Sequence, residues 1–293
     1  MEELSSCTIC PHNCKVNRNN GQIGRCRSGN KVKIALASVH NYEEPCISGK
    51  NGSGTVFFSN CNLSCIYCQN YKISQLGKGY ELSVEELANI MIKQQEKGVN
   101  NINLVTPTMY VYQIIEAIEI ARKNGLNIPI VYNTNGYENV KTIQDLNGYI
   151  DVYLPDLKYY SNELSKKYSK VDNYFKYATE AIKEMYKQVG SPVFDENGII
   201  QKGLIIRHLV LPNHLQNSKH ILKWIKENMP KDTYVSVMAQ YFPTYKAKED
   251  ELLNRKLNKK EYKEIEEFLY TLNLENGYMQ ELGEHEEEYV PDF

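Results

Sequence analysis

No cysteine occurs beyond residue 68 of this 293-residue chain, although eight stand at or before it. That one-sided placement speaks against long-range stapling by disulfides, which are rare in reducing compartments and typical of small secreted domains. Long apolar runs are also missing, and no charged-then-apolar leader opens the chain. The expectation is a soluble, cytoplasmic protein with no membrane partner. Charge of one sign is lacking too: 34 Lys and Arg face 36 Asp and Glu, a net of -2. A broad electrostatic footprint for nucleic acid is therefore not expected, and modification of tRNA is disfavoured because no basic domain is appended. What remains is ordinary for a globular chain, with 42% apolar and 24% charged residues. The length allows one large domain, or one domain with an appendage.

Seven of the cysteines form two tight groups: Cys7, Cys10, Cys14 and Cys26, then Cys61, Cys65 and Cys68. Compact groups of this kind suit metal ligation. Residues 1–50 are rich in Cys, Asn, Gly and charge and short on periodicity, and they read as a small metal-held appendage with VKIALAS as a short strand in it. From residue 51 to 293 the pattern changes. Apolar runs bounded by Gly, Pro or Asn alternate with helical stretches, as in TVFFSN followed by SVEELANIMIKQQEKG, where Ser83 and Glu86 form a capping box. INLVT, IPIVYNT, DVYLPDL, GLIIRHLVLP and TYVSVMAQY continue the series. About six strand–helix units imply an α/β fold with a parallel sheet, because each crossover returns the chain in the same direction. The expected architecture is a partial, open parallel β/α barrel with the Cys-rich N-terminal appendage. A flat doubly wound sheet is the alternative, and in either case the chemistry belongs at the C-terminal ends of the strands.

The stretch CNLSCIYCQN follows the first of these strands directly, at that end. A structural zinc site wants four protein ligands. Three thiolates would leave one position open, whereas on a [4Fe–4S] cube they would leave one iron free for another ligand. Buried thiols, or a zinc completed from elsewhere, are the bland reading. The N-terminal group, Cys-x2-Cys-x3-Cys-x11-Cys, offers four thiolates and so a complete site. Zinc and an auxiliary iron–sulfur cluster both accept that set, and His12 is a substitute ligand. Cys46 is unpaired by spacing and reads as a plain buried thiol.

The spacing Cys-x3-Cys-x2-Cys, with an aromatic (Tyr67) before the last cysteine, resembles the signature of the radical S-adenosylmethionine (SAM) superfamily. The resemblance implies that Cys61, Cys65 and Cys68 carry a [4Fe–4S] cluster. Its free iron would be chelated by SAM, and one electron would cleave the sulfonium to a 5′-deoxyadenosyl radical. A flavodoxin or ferredoxin-type reductant is implied as partner. Residues 54–243 are similar to the pyruvate formate-lyase activating enzyme branch, through NTNGY at Asn133, PDLK at Pro155 and RHLVLP at Arg207. EEPCISG, GSGTVFF and NLVTPT are similar to an activating enzyme-like subgroup. By that match Asp156 and Lys158 lie at the SAM site, where an ammonium beside a ligand carboxylate is a sensible pairing. Tyr67, Gln69, Thr106, Thr108, Asn133, Arg207 and Gln240 are the further candidate contacts. Arg207 and His208 alternate along a strand, so only one faces the site, and Arg207 is the choice.

The chain departs from the activating enzymes at three places. Thr106-Pro107-Thr108 stands where they carry Gly-Gly-Glu, so no carboxylate is expected there. Gln240 and Tyr241 stand in the stretch where they carry a His, and Asn133 where they carry an Asp. The site is less anionic, and the substrate is open between a protein glycine and a small metabolite. An iron–sulfur electron-transfer or metal-binding protein without radical chemistry is the second reading, favoured by the Thr-Pro-Thr departure.

Overall fold

In the computed structural model, residues 2–282, Pro291 and Phe293 are described. The acidic EHEEE stretch, read from sequence as a solvated tail, lies outside them. Strands in chain order are β1 (Val32–His40), β2 (Ser53–Phe58), β3 (Tyr80–Leu82), β4 (Ile102–Val105), β5 (Ile130–Thr134), β6 (Val152–Pro155), β7 (Val193–Phe194), β8 (Ile200–Leu209), β9 (Tyr234–Met238) and β10 (Gly277–Met279). They form one sheet in the order β10-β9-β8-β6-β5-β4-β2-β1-β3, with β7 paired to β8. The six strands expected from sequence are β2, β4, β5, β6, β8 and β9, and they are parallel to one another.

Their spatial order follows their chain order without reversal. A doubly wound sheet would reverse at a switch point; this one does not. Right-handed crossovers therefore send the helices to one face and leave the other concave. The sheet does not close, since β3 and β10 end it among the described residues. The fold is an open partial barrel. The strands are apolar and buried because helices cover one side and the barrel interior the other.

The main helices are α1 (Pro45–Ser48), α2 (Tyr71–Ser74), α3 (Val84–Gln95), α4 (Val111–Lys123), α5 (Val140–Asp145), α6 (Asn162–Ser169), α7 (Tyr174–Val189), α8 (Leu215–Asn228) and α9 (Lys259–Thr271). Ser83 caps α3, and Glu86 completes the capping box.

The appendage is smaller than residues 1–50. Its VKIALAS stretch begins β1, which pairs antiparallel with β2 and joins the main sheet. Because β1 runs against β2, His40 meets Ser53 at the N-terminal end of the barrel. There α1 plugs the interior: Cys46 and Ile47 pack on Val131, Val152, Leu154, Ile200 and Ile205. The side-chain amide of Asn101 donates to the Ile47 carbonyl at 2.8 Å, and that of Asn100 to the Ser48 carbonyl at 2.7 Å. The plug closes one end of the barrel and leaves the cysteine loop at the other.

Candidate active site

The loop after β2 starts with Asn60 in the left-handed region, φ 72°. It is then pinned to the end of α6: the Ser64 amide donates to the Ser169 carbonyl at 3.0 Å, and the Ile66 amide to the Tyr168 carbonyl at 2.8 Å. Pinning turns Cys61, Cys65 and Cys68 onto one cavity of about 210 Å3. Each sulfur meets a polar neighbour. The Leu63 amide donates to Cys61 Sγ at 3.4 Å; Cys65 Sγ lies 2.9 Å from Ser169 Oγ; Cys68 Sγ lies 3.1 Å from Ser74 Oγ. Burial pushes all three thiols up, Cys65 to about 11, where Lys158 works against the rise. Such thiols become thiolates when a cationic centre supplies the compensating charge.

A chain of buried charges lines the same cavity. Lys158 Nζ sits 2.6 Å from Asp156 Oδ2, and Arg207 Nε 2.9 Å from Asp156 Oδ1. Arg207 continues to Glu43 Oε2 at 3.2 Å and donates to Asn133 Oδ1 at 2.6 Å. Asn103 donates to Glu43 Oε1 at 3.0 Å and Asn133 to the same oxygen at 3.3 Å. Burial penalises the Asp156 charge, but Arg207 and Lys158 outweigh it and hold the carboxyl below the usual range. Glu43 goes the other way: burial raises its pKa despite Arg207.

Tyr67, Gln69, Thr106, Asn133, Asp156, Lys158, Arg207 and Gln240 all line the cavity. Gln69 also donates to the Gln240 carbonyl at 3.0 Å. Tyr67 meets Tyr159 at 2.6 Å, Tyr159 meets Ser169 at 2.7 Å, and Ser169 meets Cys65, so a hydroxyl chain runs behind the loop. Thr106 holds φ 59° just past β4, a costly conformation for a β-branched residue and one found where function holds strain. Thr108 does not reach the cavity. It opens a short helical turn, Thr108–Tyr110, and its hydroxyl donates to buried Glu138 at 2.6 Å. His208 faces the other side of its strand, 2.7 Å from the Leu157 carbonyl and 2.8 Å from Ser218 Oγ. Cys46 is buried in the plug. The four N-terminal cysteines lie apart from this cavity, around a pocket of their own.

Glu43 was not foreseen. The expectation of no carboxylate after the second strand holds for Thr106-Pro107-Thr108, yet a carboxylate arrives from the plug. Taking residues 1–50 as an appendage hid it. The signal that points to it is the strand-like VKIALASVH followed by EEP, a turn into a helix with Pro at its first position.

A family model described as the radical SAM superfamily matches residues 55–225. The chain belongs to the radical SAM superfamily. The uncharacterized protein MJ0674 of Methanocaldococcus jannaschii is 36% identical over 279 residues, covering 91% of this chain and 74% of that protein. MJ0808 of the same organism is 24% identical over 265 residues, covering 82% and 71%. Among solved structures, methylornithine synthase (PylB) aligns with TM-score 0.53 and 16% identity, covering 80% of this chain and 72% of that one. Streptococcus suis SuiB bound to precursor peptide SuiA aligns with TM-score 0.50 and 17% identity, covering 78% and 48%. These two share the fold, and the chain spans about half the length of SuiB. Radical SAM proteins carry a [4Fe–4S] cluster and use SAM. The residues present fit that pair. Three thiols line one roomy cavity, and a buried ammonium and carboxylates line it with them.

Proposed function

We propose that this radical SAM protein is an enzyme of the pyruvate formate-lyase activating enzyme-like kind, which cleaves SAM reductively and abstracts hydrogen from its substrate. The observation that carries the reading is the shared cavity, which Cys61, Cys65 and Cys68 line together with Lys158, Asp156 and Arg207. Bound on those thiolates, the cluster supplies the electron for SAM cleavage. Lys158 meets the carboxylate of SAM, while Asp156 keeps Arg207 as its partner. Glu43 gives the site the anionic group that Thr106-Pro107-Thr108 does not. Thr106, Asn133, Gln69, Gln240 and Tyr67 hold the remaining polar edges of SAM. The plug keeps water out from below, which strengthens every charge–charge contact inside. A flavodoxin or ferredoxin-type protein is the reductant, and the substrate is a protein glycine or a small metabolite.

The second reading, electron transfer without radical chemistry, drew on the missing carboxylate, and Glu43 weakens that ground. The test is anaerobic. The protein is reconstituted with iron and sulfide, given SAM and a strong reductant, and 5′-deoxyadenosine is quantified, with Cys65→Ala as control. Cys65-dependent product is expected. An assembled cluster that neither binds nor cleaves SAM would sink the reading in favour of electron transfer.

A further inference from the structure

We propose that Cys7, Cys10, Cys14 and Cys26 hold a single tetrahedral Zn2+, and that this metal knuckle braces the loop carrying Cys61, Cys65 and Cys68. All four thiols line one pocket, together with Ile9, Val16 and Gly24. Its volume is about 10 Å3, space for one water-sized sphere. The barrel cavity, at about 210 Å3, is of another scale. A lone ion fits the smaller space. Zinc takes four thiolates in a closed tetrahedron and brings no redox chemistry.

The backbone here is shaped around sulfur. The Cys7 amide donates to the Val16 carbonyl at 3.0 Å, and the Lys15 amide to the Cys7 carbonyl at 2.9 Å, so the segment doubles back on itself. Asn13 and Lys15 accept left-handed conformations, φ 44° and 55°, to make that turn. A Cβ on Gly24 would come within 2.8 Å of Cys14 Sγ, so only glycine allows this approach. The Arg25 amide donates to Cys14 Sγ at 3.3 Å, the outer-sphere bond that steadies a metal thiolate. The unit also needs a staple. Its own core is Leu4, Cys7 and Ile9 with Val16 and Tyr112 packed on them, too little to order a segment of this length alone.

Among the described residues, no three His, Cys, Asp or Glu side chains already stand in ion-holding geometry. That is equally true of the barrel trio. Metal binding and final ligand placement are coupled in such units.

The knuckle touches both the radical loop and the short helix α2 that follows it. His12 Nε2 lies 2.8 Å from the Asn62 carbonyl oxygen; Arg25 Nη2 donates to Ser64 Oγ at 3.1 Å; Arg27 Nη2 donates to the Ser74 carbonyl at 2.9 Å. Ser74 is the residue whose hydroxyl meets Cys68 Sγ. The proposal does not depend on radical chemistry. Zinc, iron and sulfide are measured in the wild type and in a Cys61→Ser/Cys65→Ser/Cys68→Ser variant, with zinc-edge X-ray absorption on both. One zinc per chain is expected in each, with four sulfur neighbours at about 2.3 Å. Cys10→Ser and Cys26→Ser should lose it, and their reconstituted barrel clusters should show altered electron paramagnetic resonance spectra. If the triple variant does not fold, zinc coordination in the wild type decides alone, because no other cysteine group on the chain offers four sulfurs. Iron with sulfide bound at the N-terminal site, or four metal-free thiols that alkylate in the native protein, would overturn the proposal.

Discussion

Glu43 and Arg207 form an ion pair 3.2 Å long inside the barrel, although 164 residues separate them in the chain. Both side chains are nearly buried, at 10% and 14% exposure. The pair ties the plug to β8 and completes a line of charge that ends at Lys158, facing the cysteines. Removing one member leaves the other charged and desolvated.

Glu43→Ala should therefore lower unfolding stability by about 3 kcal/mol, the low end for breaking a buried pair, since Arg207 retains Asp156. Glu43→Gln should lose less, because an amide oxygen still accepts from Asn103 and Asn133. Urea unfolding of the two variants checks this. Equal stability of Glu43→Ala and wild type would show that the pair does not hold the plug.

Lys158→Met removes the ammonium and keeps most of the packing volume. Asp156 still has Arg207 within 2.9 Å, so the fold should survive with a modest loss. SAM affinity of the cluster-loaded protein should fall at least about tenfold, roughly 1.4 kcal/mol, the lower range for a charge-assisted hydrogen bond. Equilibrium dialysis reads the change, and an unaltered dissociation constant would remove Lys158 from the site.

Much of this site was legible in the chain. The six parallel strands announce themselves as buried apolar runs, and the cysteine loop, Asp156 and Lys158 sit at their ends, where a parallel barrel gathers its chemistry. Arg207 and His208 were separable because neighbours on a strand face opposite ways. Thr108 stands off the cavity because the chain turns helical immediately after Pro107, and a helical turn does not alternate. Glu43 escaped because local patterns carry no record of a strand folding back across the barrel. β10 is three residues long, below what periodicity can register.

Buried Glu138 yields a pH prediction. Burial raises its pKa to about 7 against the lowering effect of the Thr108, Thr134 and Tyr132 hydroxyls. The folded protein thus binds this proton more tightly than the unfolded chain does. The stability it contributes is full below the ordinary glutamate pKa and is lost as pH rises towards 7. Glu138→Gln keeps an oxygen for the three hydroxyls and cannot ionise. Relative to the variant, the wild type should lose on the order of 3 kcal/mol between pH 4.5 and 8. Denaturation of both proteins at several pH values measures the difference, and parallel profiles would mean that Glu138 ionises freely in the fold.

Gly136 joins two of the site's walls. It holds φ 80°, and a Cβ there would collide with the Asp156 carbonyl oxygen. That carbonyl also accepts from Tyr174 at 2.7 Å, as does the Asn135 carbonyl. One phenol thus clamps the end of β5 to the end of β6. In Gly136→Ala the left-handed conformation costs about 1 kcal/mol, and the collision forces the two strand ends apart. Asp156 and Lys158 should shift with them, so SAM affinity should fall by more than the stability loss alone explains. Tyr174→Phe releases the clamp without a collision and should show a milder form of both effects. Melting temperature and SAM affinity measured together test the coupling. A Gly136→Ala protein that is less stable but binds SAM normally would show that the clamp serves the fold and not the site.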